Sequence, residues 1–211
     1  MPRFIGERID CFRGGRLVFA GLSFGLDAGG ALILRGPNGS GKSTLLRIMA
    51  GLLRPAAGRV RWSDADADID AEADAHYARL HYVSHADAIK PVLTVAENVG
   101  FWAGLRTPDP DVAGALAAFG IAPLADMPAR FLSAGQKRRV NLARLVAAPA
   151  DLWLLDEPAT ALDVGAIQAL VDAVQAHRAR GGLVVASTHQ DLGLADAAVL
   201  DLDAFTGDAA S

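Results

Sequence analysis

Between residues 36 and 44 the chain reads Gly36-Pro37-Asn38-Gly39-Ser40-Gly41-Lys42-Ser43-Thr44. Glycines at these three places let a backbone wrap tightly and turn its N–H groups inward, a cradle for phosphate oxygens. Lys42 is then within reach of the β- and γ-phosphates, and the Ser43 hydroxyl is a hard oxygen ligand suited to Mg²⁺. A second run, Leu152-Trp153-Leu154-Leu155-Asp156-Glu157-Pro158, is an apolar stretch that delivers two adjacent carboxylates. Asp156 is expected to hold Mg²⁺ through its water, and Glu157 to polarise an attacking water as general base. The chemistry implied is transfer of a phosphoryl group from ATP to water. A third run, Leu132-Ser133-Ala134-Gly135-Gln136, opens a helix, so Ser133 and the first-turn N–H groups form a second anion site. One chain does not easily fold that site onto its own phosphate loop while a helical region separates the two.

These residues need a particular scaffold. Ala31 to Leu34 is a short apolar strand, and from Lys42 the apolar side chains recur at helical spacing until Gly51. Strand, glycine loop and helix in that order is the context a phosphate loop requires. Leu152 to Leu155 and Leu183 to Ser187 read as fully buried strands with Asp156-Glu157 and His189 just past their ends. That pattern suits a parallel sheet whose ligands lie at the carboxyl edge of the strands. A further strand is expected over Leu80 to Ser84, and an early strand pair within Leu17 to Leu26. From about Thr94 to Ala129 the chain is expected to be helical but cut into short pieces by Pro91, Pro108, Pro110, Pro123 and Pro128. A helix from Gly135 to Val146 leads back to the core. The expected class is an α/β P-loop NTPase with a mostly parallel core sheet. It forms one domain, 1–211, with the core in 1–84 and 147–211 and an inserted helical subdomain over about 85–146.

Composition sets the outer limits. At 211 residues and 52% hydrophobic the chain supports one substantial core, and a net charge of -4 lacks a polyanion-binding signature. The single cysteine, Cys11, forms no internal disulfide and is expected to be buried and inert. The opening Met1-Pro2-Arg3-Phe4 lacks the apolar core of a secretory signal, and no apolar run reaches the roughly 18 residues of a spanning helix. If the chain works at a membrane, another subunit is expected to supply it. The acidic run from Asp64 to Asp74 cannot be an EF-hand. No register gives both the glycine at the sixth position and the glutamate at the twelfth. It is read as a solvated loop.

Taken together, the phosphate loop, Leu132–Gln136 and Leu152–Glu157 resemble the ABC ATPase family from about Ile9 to Leu202. The resemblance implies that the Ser133–Gln136 segment of one subunit completes the γ-phosphate site of its partner in a homodimer. It implies an antiparallel β subdomain beside the core sheet. It also makes Ala161-Leu162-Asp163 the loop that signals between the two sites, and His189, after Ser187-Thr188, the switch that senses the γ-phosphate. Several segments further resemble the CcmA family, the ATP-binding subunits of the cytochrome c maturation haem exporter. They are Cys11–Arg16, His85 with Ile89-Lys90, Leu93-Thr94, Glu97-Asn98, Leu132–Leu145 and Thr188-His189-Gln190. That likeness implies integral-membrane haem-maturation subunits as partners, at the cytoplasmic face of the inner membrane. The ATPase would then drive haem export or the release of a haem-loaded chaperone. Neither nucleic-acid binding nor direct haem ligation is expected, since the chain has no Cys-x-x-Cys-His, and His76, His81 and His177 lack a ligand setting. A different small-substrate permease, or a soluble ABC ATPase acting on DNA or ribosomes, are the alternative readings.

Four positions depart from the family pattern. Ala134 stands where glycine is commonest, which is harmless if its φ is negative. Ser84 replaces a usual glycine. Arg13 occupies the aligned place of an adenine-stacking aromatic with Phe12 beside it, so either side chain is available to stack on the base. His85 stands where most relatives have glutamine. It is either a group that responds to pH near neutrality or a neutral hydrogen-bonding substitute.

Overall fold

The computed structural model describes residues 3–65 and 68–206. The chain begins with two antiparallel strands, β1 (Phe4–Arg13) and β2 (Arg16–Leu26), joined at Gly14-Gly15. Both glycines have positive φ, 55° and 78°, as a two-residue hairpin turn demands. Next come β3 (Ala31–Arg35), α1 (Lys42–Met49), β4 (Ala57–Trp62), α2 (Ala73–Ala78) and β5 (Leu80–Val83). Helices α3 (Val95–Gly104), α4 (Val112–Ala118) and α5 (Ala134–Ala147) follow. The chain then alternates through β6 (Leu152–Asp156), α6 (Val164–Ala179), β7 (Leu183–Ser187) and β8 (Ala198–Asp201).

The strands form two sheets. One is antiparallel with order β2-β1-β4; the other is parallel throughout, with order β5-β6-β7-β3-β8. β6 and β7 lie at the centre of the parallel sheet and are buried at every position, which is why they read as unbroken apolar runs. Their alternation serves two cores. Trp153 and Leu155 face the side packed by α3 to α6, with Phe119, Leu142 and Leu170. Leu152 and Leu154 face α1 and the antiparallel sheet, with Leu45, Ile48, Phe4 and Phe19. The loops that follow β3, β6 and β7 therefore leave the same edge of the sheet, carrying Gly36, Glu157 and His189.

Sequence and structure differ in several places. Leu17 to Leu26 is one strand rather than a pair; its partner is the upstream β1, whose alternation is interrupted by three register shifts. Strands β4 and β8 and helices α2 and α6 carried no reading from sequence. In the acidic run, Asp66 and Ala67 lie outside the described residues, and α2 begins within the run at Ala73. Asp64 pairs with Arg79 at 2.9 Å and Asp70 with Arg54 at 3.8 Å, so these acids are surface partners of arginines. The proline-rich stretch does break into short helical pieces, α3 and α4 and two 3₁₀ turns at Ala122–Leu124 and Ala129–Phe131.

His76, His81 and His177 are core groups. Each is buried, each shares a ring nitrogen with a backbone carbonyl (Met49, Ala148 and Leu183), and burial lowers their pKa values to about 4, 3 and 4. They are neutral packing elements. Cys11 is likewise buried, and desolvation raises its thiol pKa, which keeps it unreactive. Among the described residues no helix is long and apolar enough to cross a membrane.

Candidate active site

The phosphate loop is built by backbone conformation. Gly36, Gly39 and Gly41 have φ of 135°, 87° and 103°, a region in which side chains are strained. A Cβ at Gly41 would also lie 2.6 Å from Val18 Cγ1, so the loop closes directly onto β2. Gly41 caps α1 without a side chain, and no acid sits in the first turn. The first-turn N–H groups and the positive end of the helix therefore face the loop's interior. Lys42 is buried and donates to the carbonyls of Gly36 at 2.6 Å and Pro37 at 2.8 Å, bridging the loop it belongs to. Ser40 is buried behind the loop, with its N–H on the Pro37 carbonyl.

A cavity of about 750 Å³ opens in front of this loop. Asn38, Gly39, Gly41, Lys42, Ser43 and Thr44 line one side, and Asp156, Glu157 and Ser187 the other. Asp156 is the last residue of β6 and only 3% exposed. A hydroxyl from Ser43 and one buried carboxylate from Asp156 are both hard oxygen donors, the kind of sparse set that binds Mg²⁺ together with phosphate oxygens and water. Among the described residues no cluster of three or more His, Cys, Asp or Glu offers an all-protein metal cage. The donors present fit Mg²⁺ held jointly with a nucleotide.

Glu157 has φ of 47°, left-handed backbone that costs a non-glycine residue on the order of 1 kcal/mol or more. Its N–H donates to the Ser187 carbonyl at 2.8 Å, fixing it to the end of β7. From there its carboxylate Oε1 lies 3.6 Å from His189 Nε2. His189 itself is exposed and stands beside the cavity rather than in its wall.

The mouth of the cavity is made by the β1–β2 hairpin. Arg13 lines it; Phe12, half-exposed on the neighbouring position, does not. Arg16, Leu17 and Val18 line it too, and these sequence reasoning missed. The signal was there in Gly14-Gly15, which places Arg13 directly opposite Arg16 in the hairpin register. Thr206 completes the wall, and nothing in the sequence pattern pointed to it.

The other sequence-read residues lie elsewhere. Ser133, Gly135 and Gln136 begin α5 and do not line the cavity. Ser133 Oγ accepts from the Gln136 N–H at 3.3 Å, while Gln136 Oε1 accepts from the Ser133 N–H at 2.9 Å. This reciprocal capping box satisfies the N–H groups of Ser133 and Gln136 within the chain. Ala134 takes ordinary helical backbone, so the missing glycine there is harmless. Gly135, by contrast, must be small, because a Cβ would come 2.8 Å from the Ala161 carbonyl. Asp163 caps α6 through the Ala166 N–H and also accepts from Arg139 of α5. The helix start and the Ala161–Asp163 loop thus touch each other. His85, in the loop after β5, is exposed and outside the cavity.

Comparison with known proteins gives consistent relatives. Residues 19–160 match the family model described as ABC transporter. The chain is similar to the cytochrome c biogenesis ATP-binding export protein CcmA of Rhodospirillum rubrum, 60% identical over 206 residues, covering 97% of this chain and 88% of that one. It is 57% identical to the protein of the same name from Paramagnetospirillum magneticum, covering 96% and 94%. Its fold is similar to a putative ABC transporter ATP-binding protein from Pyrococcus furiosus, with a TM-score of 0.80 at 19% identity over 98% of this chain and all of the other.

Proposed function

The chain belongs to the ABC transporter family, in its CcmA branch, and from that premise we propose that it is the ATP-hydrolysing subunit of a membrane complex for cytochrome c biogenesis. The observation that carries the ATPase reading is the convergence of Lys42, Ser43, Asp156 and Glu157 on one cavity at the carboxyl edge of the parallel sheet. ATP enters with its phosphates in the loop. Lys42 exchanges its two loop carbonyls for oxygens of the β- and γ-phosphates, and the first-turn N–H groups of α1 take the remaining charge. Arg13 stacks on or pairs with the base at the mouth. Ser43, and Asp156 through water, would hold Mg²⁺, which would supply positive charge to the phosphate group during transfer.

Glu157 then orients a water in line with the γ-phosphorus and receives its proton as the new P–O bond forms. The bond from phosphorus to the β–γ bridging oxygen breaks, and ADP carries away the released charge. His189, with its Nε2 3.6 Å from Glu157 Oε1, is the residue offered to sense the γ-phosphate. The start of α5, with Ser133, Gly135 and Gln136, is the anion site offered to the nucleotide of a second copy in a homodimer. Asp163, against the same helix, links the two sites.

The membrane partners are integral-membrane haem-maturation subunits, and the chain sits peripherally on the cytoplasmic face of the inner membrane. Their docking surface is the groove of about 380 Å³ next to the His85 loop, where Leu52, Tyr77 and Leu105 are exposed beside Trp102. The work performed is haem export or release of a haem-loaded chaperone.

A pull-down from native membranes with Glu157→Gln, ATP and Mg²⁺ tests both halves. Trapped homodimer with small haem-maturation membrane proteins is the expected result. A different permease would retain the ATPase and remove haem. Near-parent hydrolysis by this variant would take Glu157 out of the role of base.

A further inference from the structure

β5 is an edge strand of the parallel sheet, and the carbonyls on its open side have no neighbouring strand to accept from. Three arginines cover them at alternate positions. Arg106 donates to the Leu80 carbonyl at 2.6 Å, Arg144 to that of Tyr82, and Arg138 to that of Ser84 at 2.9 Å. Beyond this, Arg106 donates to the Trp102 carbonyl of α3 and Arg144 lies over the Trp102 ring. Arg138 reaches further.

A guanidinium has five N–H donors in a fixed plane. Arg138, only 3% exposed on α5, uses all of them. Nε donates to the Pro158 carbonyl at 3.0 Å, and Nη2 to the carbonyls of Asp156 at 3.1 Å and Glu157 at 2.7 Å. Nη1 donates to the Ser84 carbonyl and, at 3.0 Å, to Asp87 Oδ1. Asn141, also on α5, donates to the same Asp87 oxygen at 3.0 Å. One buried side chain therefore holds three successive carbonyls around the candidate base and two groups of the His85 loop. It does so from the helix whose N-terminus, about one turn away, is the second anion site.

The backbone it holds is the strained one. Glu157 sits at φ 47°, and such a conformation persists only when its surroundings over-determine it. The Ser187 carbonyl fixes its N–H, and Arg138 fixes its carbonyl. We propose that Arg138 is the positioning residue for Glu157, and that through Ser84 and Asp87 it makes the placement of that carboxylate depend on the loop carrying His85. The inference rests on the reading of Glu157 as the base. A shift of that loop, such as a docked partner would impose, pulls on the same guanidinium that aims the carboxylate.

The test measures turnover and MgATP affinity of the full chain, in the complex recovered with it from native membranes. Arg138→Gln is expected to lower kcat about 100-fold while Kd for MgATP stays within about threefold, because only the reacting geometry is lost. Placed in the Glu157→Gln background it should lower the residual rate no further, since the group it aims is already gone. Asp87→Ala, which removes the acceptor that the outer end of the guanidinium shares with Asn141, should lower kcat about tenfold with affinity again retained. Should Arg138→Gln fail to fold, Asp87→Ala and its combination with Glu157→Gln carry the same comparison. Parent-like kcat in Asp87→Ala, a parallel loss of kcat and affinity, or a multiplied loss in the double variant would each overturn the proposal. If Glu157→Gln alone keeps its turnover, the reading of the base fails instead; if it is inactive while Arg138→Gln runs at the parent rate, only Arg138 is removed.

Discussion

The two anion sites proposed for this chain are both helix N-termini, yet they are finished in opposite ways. At α1 the cap is Gly41, which has no side chain to offer, and the loop before it is held open by three glycines at positive φ. At α5 the cap is Ser133, whose hydroxyl and the Gln136 amide close the helix end onto itself. The first site cannot satisfy its own N–H groups and is organised for phosphate in advance. The second has the Ser133 and Gln136 N–H groups taken by its own side chains, so an anion that uses the Ser133 hydroxyl must compete with a capping box there. On the proposed function, a site of the first kind would bind ATP as a single chain, and one of the second kind would respond to a phosphate already held by another copy.

The strongest way to break this contrast is at Lys42. Lys42→Ala removes a charged donor from the open site, and two lost charge-assisted contacts correspond to about 3 kcal/mol, or about 100-fold in ATP affinity. Calorimetric titration with MgATP is expected to show this without any change in fold. Retained affinity would mean that the loop N–H groups and helix dipole alone hold the phosphates. Turnover should fall with binding.

Ser133→Ala acts on the other site and should separate the two functions. It removes the cap, costing about 1 kcal/mol of stability. Because Ser133 lies outside the chain's own cavity, affinity for MgATP should remain within about twofold. In the Glu157→Gln background, ATP-driven dimerisation followed by size-exclusion chromatography should weaken about tenfold, the worth of one hydrogen bond to a charged group. Equal loss of binding and dimerisation would show that the two sites are not divided between copies.

Much of this was legible because the chemistry depends on local backbone. A phosphate loop is one contiguous run whose glycines are required by φ, and β6 and β7 announce themselves as unbroken apolar strands. The helix start at Ser133 was readable from its capping residues for the same reason. What escaped was set by contacts far apart in sequence. β1 was hidden because its bulges break the alternation. Helix α6 is rich in alanine and offers little apolar periodicity, although Asp163 is a sound N-cap. Arg138 drew no separate reading within the Leu132–Leu145 run. Its role exists only because Ser84 and Pro158, 54 and 20 residues away, converge on it in the fold.

The smallest effect is expected at His85, which belongs to neither anion site. The side chain is exposed, and a glutamine amide offers one donor and one acceptor group much as a neutral imidazole does. His85→Gln should therefore leave MgATP affinity within about twofold and turnover of the complex nearly unchanged. The pH profile between about 6 and 8 should also match the parent, because His85 lies outside the cavity in which the phosphoryl transfer is placed. A turnover loss above about tenfold at constant affinity would give the loop a coupling role, since only kcat would then be answering to it. Disappearance of a pH step in the variant would identify imidazole protonation as the signal. Either result would sharpen the contrast between the two anion sites by placing a control point midway between them, on the same Ser84–Asp87 segment that Arg138 holds.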